Sequence, residues 1–250
     1  MVRQQEISAA DRHVVDLAGV FATAQDPQAQ LPNLVQLSNI PSVRTLAQPP
    51  AIERPSVEQV NRYLAIWRQE MNNEPFDSAL KSLFSAMPRN TDVGEVAVKL
   101  AALNGLYATN ILAVTQVAAH IASLDIDARL AAPEVDAALI EDIARVTLKG
   151  KVRRNYSFAT KYCSFHRPDL YPIYDRLVRD VLNTLLQQGE AFDAFGRGER
   201  WHADYAIWNR SITKFRRHYG LEEFSLRDID KYLWTLGRVR RSVKASRSLT

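Results

Sequence analysis

From Ser56 onward, apolar residues recur at steps of three and four. Val57, Val60, Tyr63, Leu64, Trp67 and Met71 fall on one face of a helix, and Ser56 with Gln59 has the spacing of a capping box. The same periodicity predicts further helices at about 76–86, 93–105, 107–124, 134–147, 156–166, 174–188, 201–218 and 225–236. Pro75, Pro88, Pro133, Gly150, Pro168 with Pro172, Gly196 with Gly198, and Gly220 separate them. No stretch alternates apolar and polar residues with β-branched enrichment. The expected fold class is therefore all-α, a multi-helix globular body with connections of a few residues.

Upstream the pattern changes. Alanine and valine keep a loose helical spacing over about 9–24, and then six of the 11 prolines crowd into 25–55, at Pro27, Pro32, Pro41, Pro49, Pro50 and Pro55. Proline has no amide donor and turns the preceding residue away from helix, so an extended connector is expected. The predicted organisation is an N-terminal helix and Pro-rich connector over 1–55, a helical body over 56–237, and a basic tail over 238–250. Arg238 to Arg247 carries five basic residues and no acidic one. The stripe Trp201, Tyr205, Trp208, Ile212 and Phe215 has the steps of a helix face buried in a core.

Composition narrows the class. Hydrophobic residues make up 46% of the 250, enough for a substantial core. No apolar run approaches the ~18 residues of a membrane span. The N-terminus MVRQQEISAADRH lacks an apolar signal core, which makes the expected localisation cytoplasmic. Cys163 is the single cysteine, so an internal disulfide and a Cys-ligated zinc or iron–sulfur site are excluded. With no metal-ligand cluster and no nucleotide-binding loop, no metal and no cofactor are expected, and a monomer is assumed.

Charge is split along the chain. Residues 1–144 hold 10 Lys+Arg against 17 Asp+Glu, whereas 145–250 hold 22 against 11. Such asymmetry fits a face that attracts a polyanion, although an ordinary solvated helical surface has the same charge. Lys149, Gly150, Lys151, Arg153, Arg154, Asn155 and Ser157 lie where one helix is expected to end near Leu148 and the next to begin near Asn155 or Tyr156. Basic side chains beside a helix N-terminus make a clamp for a DNA backbone, or a plain basic loop.

Within Tyr156 to Asp175, YSFATKYCSFHRPDLYPIYD, two residues carry candidate chemistry. Lys161 shares a helical face with Ser157, four residues earlier, among Phe158, Ala159, Tyr162 and Phe165. A desolvated lysine loses its charge readily and serves as a Schiff-base nucleophile, while the commoner arrangement is a lysine that snorkels to solvent. Asp175 precedes an apolar helix and has a helix N-cap as its default role. A carboxylate there could also activate water or stabilise a cationic sugar. His166, Tyr171 and Tyr174 lie close in sequence. Tyr107 and Asn110, in KLAALNGLYATNILAV, are polar groups in an apolar neighbourhood, which either line a pocket or serve as caps and satisfied core contacts.

This order of basic turn, lysine and aspartate resembles the helix-hairpin-helix DNA glycosylase superfamily, which includes endonuclease III and the 8-oxoguanine glycosylases. LYATNILAVTQVAAHI is similar to that family's early helix and brings Tyr107 near its base-inserting glutamine. The family hairpin and following helix correspond to about Leu148 to Phe165, and its aspartate to Asp175 in PIYDRLV. Only Gly150 stands where the family has two glycines, Lys161 lies one turn beyond the family's lysine position near Ser157, and the Cys-rich loop is absent. Divergent members, including bacterial anti-phage glycosylases, tolerate such changes. The resemblance implies a DNA glycosylase that acts on double-stranded DNA, in repair or defence. It would flip out a damaged or modified base into a pocket of Tyr107, Asn110, His166, Tyr171 and Tyr174, and release it with Asp175. Lys161 would add strand cleavage. The alternative is a non-catalytic helical DNA-binding or defence-system interaction protein.

Overall fold

Where the sequence is apolar at helical spacing, helices form and their apolar faces merge into one core. The computed structural model describes residues 51–192 and 203–247. The expected helix near 9–24, the connector up to residue 50 and Trp201 lie outside the described residues. The body begins with α1 (Val57–Ala65), which widens into a π-helical turn at Ile66–Glu70. Next come α2 (Glu74–Ala86), α3 (Val93–Tyr107), α4 (Val114–Ala122), α5 (Ile126–Leu130) and α6 (Ala137–Ala144). A two-stranded hairpin follows, β1 (Arg145–Leu148) and β2 (Lys151–Arg154). Then come α7 (Tyr156–His166), α8 (Arg176–Gln187), α9 (Tyr205–His218) and α10 (Leu226–Arg247).

The mostly helical reading holds, but two segments differ from the sequence-based expectation. The helix expected over 134–147 stops at Ala144, and the chain turns into an antiparallel pair in which Arg145 faces Arg154 and Leu148 faces Lys151. Lys149 and Gly150 both take left-handed backbone angles (φ 50° and 71°), as the central pair of a two-residue type I′ hairpin turn requires. Val146, Thr147 and Val152 supply the β-branched residues. The alternation is only four residues long and its outward positions are cationic, so it is hard to read from sequence. Secondly, the helix expected over 107–124 is broken. Ala108 and Asn110 both have positive φ, so 108–113 is a loop. Asn104 pins it, accepting the Ile111 N–H (2.8 Å) and the Thr109 hydroxyl (3.0 Å) and donating to the Ile111 carbonyl (3.1 Å).

Caps follow the sequence more closely. Ser56 Oγ accepts the Gln59 N–H at 3.2 Å, though the Gln59 side chain turns away, taking a hydrogen bond from Tyr232 and donating to Glu53. The core runs through every long helix. Trp208, Tyr162, Tyr171, Tyr232, Phe158 and Phe215 are fully buried, and Tyr205, Trp208, Ile212 and Phe215 form the expected inward stripe of α9. Residues 238–247, expected as a tail, continue α10. This last helix packs along both α8 and α1, and at its crossing with α8 a side chain at Gly237 would meet Leu177 within 3.0 Å. No helix among the described residues is long and apolar enough to cross a membrane.

Candidate functional site

The hairpin and the two helices it joins form one unit. Asn155 N–H donates to the Ala144 carbonyl at 2.8 Å, closing the base of the hairpin and setting the end of α6 against the start of α7. From that base Lys149, Lys151 and Arg153 project into solvent, with Val152 65% exposed between them. Arg154 does not join them. Its guanidinium is held by Glu141, bonds the Ala203 carbonyl and lies 4.2 Å from the centre of the Tyr156 ring. Arg154 thus fastens the hairpin to α6 and to the residues just before α9.

Behind the hairpin, α7 points Lys161 inward. The snorkelling arrangement is not the one adopted, since the side chain is 4% exposed. Its Nζ donates to Ser157 Oγ at 2.6 Å, and that hydroxyl donates to the Tyr174 carbonyl at 3.1 Å. Ser157 therefore bonds within the fold. Thr160 adds a second tie, accepting the Tyr174 N–H at 3.0 Å. These bonds hold the turn before α8 against α7, and the turn brings Asp175 to Lys161, with Oδ2 and Nζ 3.7 Å apart. Asp175 also caps α8, its Oδ1 accepting the Leu177 N–H at 2.8 Å. Burial pushes the Lys161 ammonium down from the usual lysine range, and the charges of Asp175 and Asp230 oppose that push.

Tyr107 reaches the same place from α3, its ring centre 5.6 Å from Lys161 Nζ. Its hydroxyl accepts from Arg227 at 3.3 Å, which opens a second group of buried charges. Arg227 Nη2 donates to Asp77, whose other oxygen takes Lys231 at 2.9 Å and Lys81 at 2.8 Å. Arg227 Nη1 faces Asp230 Oδ2 at 3.7 Å, while that nitrogen and Asp230 Oδ1 are buried without a hydrogen-bond partner. Burial pushes the Asp230 carboxyl up to about 6 despite Arg227. A connected set of ionised groups from α2, α7, α8 and α10 therefore lies inside a helical body. Buried ion pairs are weak stabilisers, because desolvation offsets most of their attraction, whereas perturbed titrating groups gather at functional sites.

Sequence reasoning found Lys161 and Asp175 and missed Asp77, Arg227, Asp230 and Lys231. A signal was present for one of them. Asp77 stands in line with Leu80 and Phe84 on the buried stripe of α2, and a charge on such a stripe needs a partner.

The expected base pocket of five residues does not assemble. Only Tyr107 stands beside Lys161. His166 packs between Phe84 and Tyr162, with ring centres 4.9 and 5.2 Å away, and burial pushes its imidazole down to about 3. Tyr171 is fully buried, stacked on Tyr205 and accepting the Asp136 N–H at 3.0 Å. The Tyr174 ring rests against Tyr156 and Trp208, and its contribution to the site is its carbonyl. Asn110 lies exposed on the 108–113 loop.

A family model described as the HI_0787_N N-terminal domain matches residues 59–170. That segment contains the hairpin and Lys161 and ends before Asp175. An uncharacterized protein of Haemophilus influenzae is 38% identical over 136 residues, which cover 54% of this chain and 62% of that protein. No solved structure matches the chain.

Proposed function

We propose that the protein is a DNA glycosylase, holding duplex DNA by its cationic hairpin and releasing a base with the Lys161–Asp175 pair. The observation that carries this reading is the 3.7 Å approach of Lys161 Nζ, on the helix that follows the hairpin, to Asp175 Oδ2 at the N-cap of α8. Lys149, Lys151 and Arg153 take phosphates, which fix register without reading sequence. As the glycosidic bond lengthens, positive charge grows on the sugar and the Asp175 carboxylate stabilises it. The lysine, less basic through burial, attacks the sugar C1′ in its neutral amine form, and the base departs with the electron pair of the glycosidic bond and takes the proton that the newly bonded amine sheds. Tyr107 covers Lys161, so an extruded nucleotide reaches the pair only when that ring swings aside.

Incubation with duplexes carrying different modified bases, followed by alkaline cleavage at abasic sites, tests the reading. Asp175→Asn keeps the cap and is expected to abolish release while DNA binding persists. Full release by that variant overturns the mechanism. Borohydride trapping tests Lys161 separately, since a lyase leaves a covalent adduct that Lys161→Met lacks.

The packing of Tyr107 over Lys161 favours a second reading, a helical DNA-binding module without chemistry. It predicts salt-dependent duplex binding that is lost in Lys151→Gln/Arg153→Gln, with no abasic product from any substrate.

A further inference from the structure

A second basic centre lies on α8 and α10, elements that contribute nothing to the hairpin. Between them runs an open groove of about 380 Å³. Arg176 and Arg179 come from one wall and Arg240 and Arg241 from the other. Asp180 is the one carboxylate among its lining residues, and Arg179 already binds it through two nitrogens at 2.6 and 3.0 Å. Four arginines and one aspartate thus line the groove. The groove has room for a ligand because Gly237 puts no side chain at the helix crossing, where Leu177 lies within 3.0 Å of where its Cβ would be. Burial pushes Arg240 down from the usual arginine range.

Guanidinium groups from two facing walls suit oxyanions, because each planar fork donates in pairs to phosphate oxygens. We propose that the α8–α10 groove is a phosphate site that takes two linked phosphoryl groups, from a nucleic-acid backbone or from a free diphosphate. The proposal goes beyond base excision and stands without it, since neither Asp175 nor Lys161 lines the groove.

The test uses the full chain, with inorganic pyrophosphate followed by calorimetry and a duplex oligonucleotide followed by fluorescence anisotropy, both at low salt. Arg176→Gln/Arg241→Gln removes two exposed donors and Lys151→Gln/Arg153→Gln serves as the hairpin control. Wild type is expected to bind pyrophosphate saturably. The groove variant should bind it about tenfold or more weaker, as expected for lost charge-assisted hydrogen bonds, with affinity kept in the hairpin control. Should pyrophosphate fail to bind while the groove variant still weakens duplex binding tenfold, the phosphates belong to a nucleic-acid strand and the site stands. Unchanged affinity of the groove variant for both probes, with a melting curve matching wild type, overturns it. Should the double variant melt early, Arg241→Glu alone carries the comparison. Base release by the groove variant is scored separately, so loss of glycosylase activity and loss of anion binding remain distinct results.

Discussion

Replacing Asp230 by asparagine should make the protein more stable at neutral pH, and the gain should vanish in acid. Asp230 is 13% exposed, and burial lifts its carboxyl from 3.8 to about 6. Arg227, Lys161 and Lys231 pull it down, while Asp175 adds to the lift. A displacement of that size corresponds to about 3 kcal/mol. The folded value lies above the unfolded one, so between those pH values the native state holds a proton that the unfolded chain has released. Stability therefore falls as pH rises through the window, and above about pH 6 the full cost is present. Asparagine keeps the shape and cannot ionise. Asp230→Asn should gain up to about 3 kcal/mol over wild type at pH 8, with the difference shrinking steadily towards pH 4. Urea unfolding of both proteins at about pH 4, 6 and 8 measures it. A difference that does not change with pH refutes the reasoning. So does a variant that loses ground as pH rises, which would mean that Arg227 stabilises the carboxylate by more than its burial costs.

Asp77 carries the opposite sign. Burial alone would raise it, yet Arg227, Lys81 and Lys231 hold it at about 2, so Asp77→Asn should lose about 2 kcal/mol at neutral pH, the wild-type lead disappearing between about pH 4 and 2 in the same unfolding assay. Gly150→Ala forces a side chain into the left-handed turn at φ 71° and should cost about 1 kcal/mol in unfolding free energy. Gly237→Ala drives a methyl group against the Leu177 side chain and carbonyl and should cost about 1–3 kcal/mol, read as a fall in Tm of several degrees; an unchanged Tm would mean that α8 and α10 separate easily.

Helices with long, regular apolar stripes were legible in the sequence. The faces of α1 and α9, the Asp175 cap and the shared face of Ser157 and Lys161 follow from residue spacing, because a helix repeat is local. The hairpin was not legible. Val146 alternates with exposed polar residues, Arg145 and Thr147, over only four residues, and the same residues satisfy a helical pattern equally well until Gly150 interrupts it. The pocket assignment suffered from a different cause. His166 and Tyr171 lie near Asp175 in sequence, but their rings turn into the core, and ring direction depends on partners such as Phe84 and Tyr205 from remote helices. Nothing local joins Asp77 to Arg227, so the buried charge network was beyond reach of spacing arguments.

That last pair bears on how the chain acquires its structure during synthesis. Asp77 and Arg227 are 150 residues apart, and the Tyr232–Gln59 hydrogen bond spans 173. As the protein leaves the ribosome, α1 and α2 appear well before α10, which carries their polar partners. Until α10 emerges, Asp77 has Lys81 beside it but not the two cations that complete its neutralisation, and the α1 face opposite Tyr232 stays open. The α1–α2 segment therefore waits in an unfinished state for α10, and a message truncated before residue 226 should yield a segment that chaperones retain rather than a smaller stable domain.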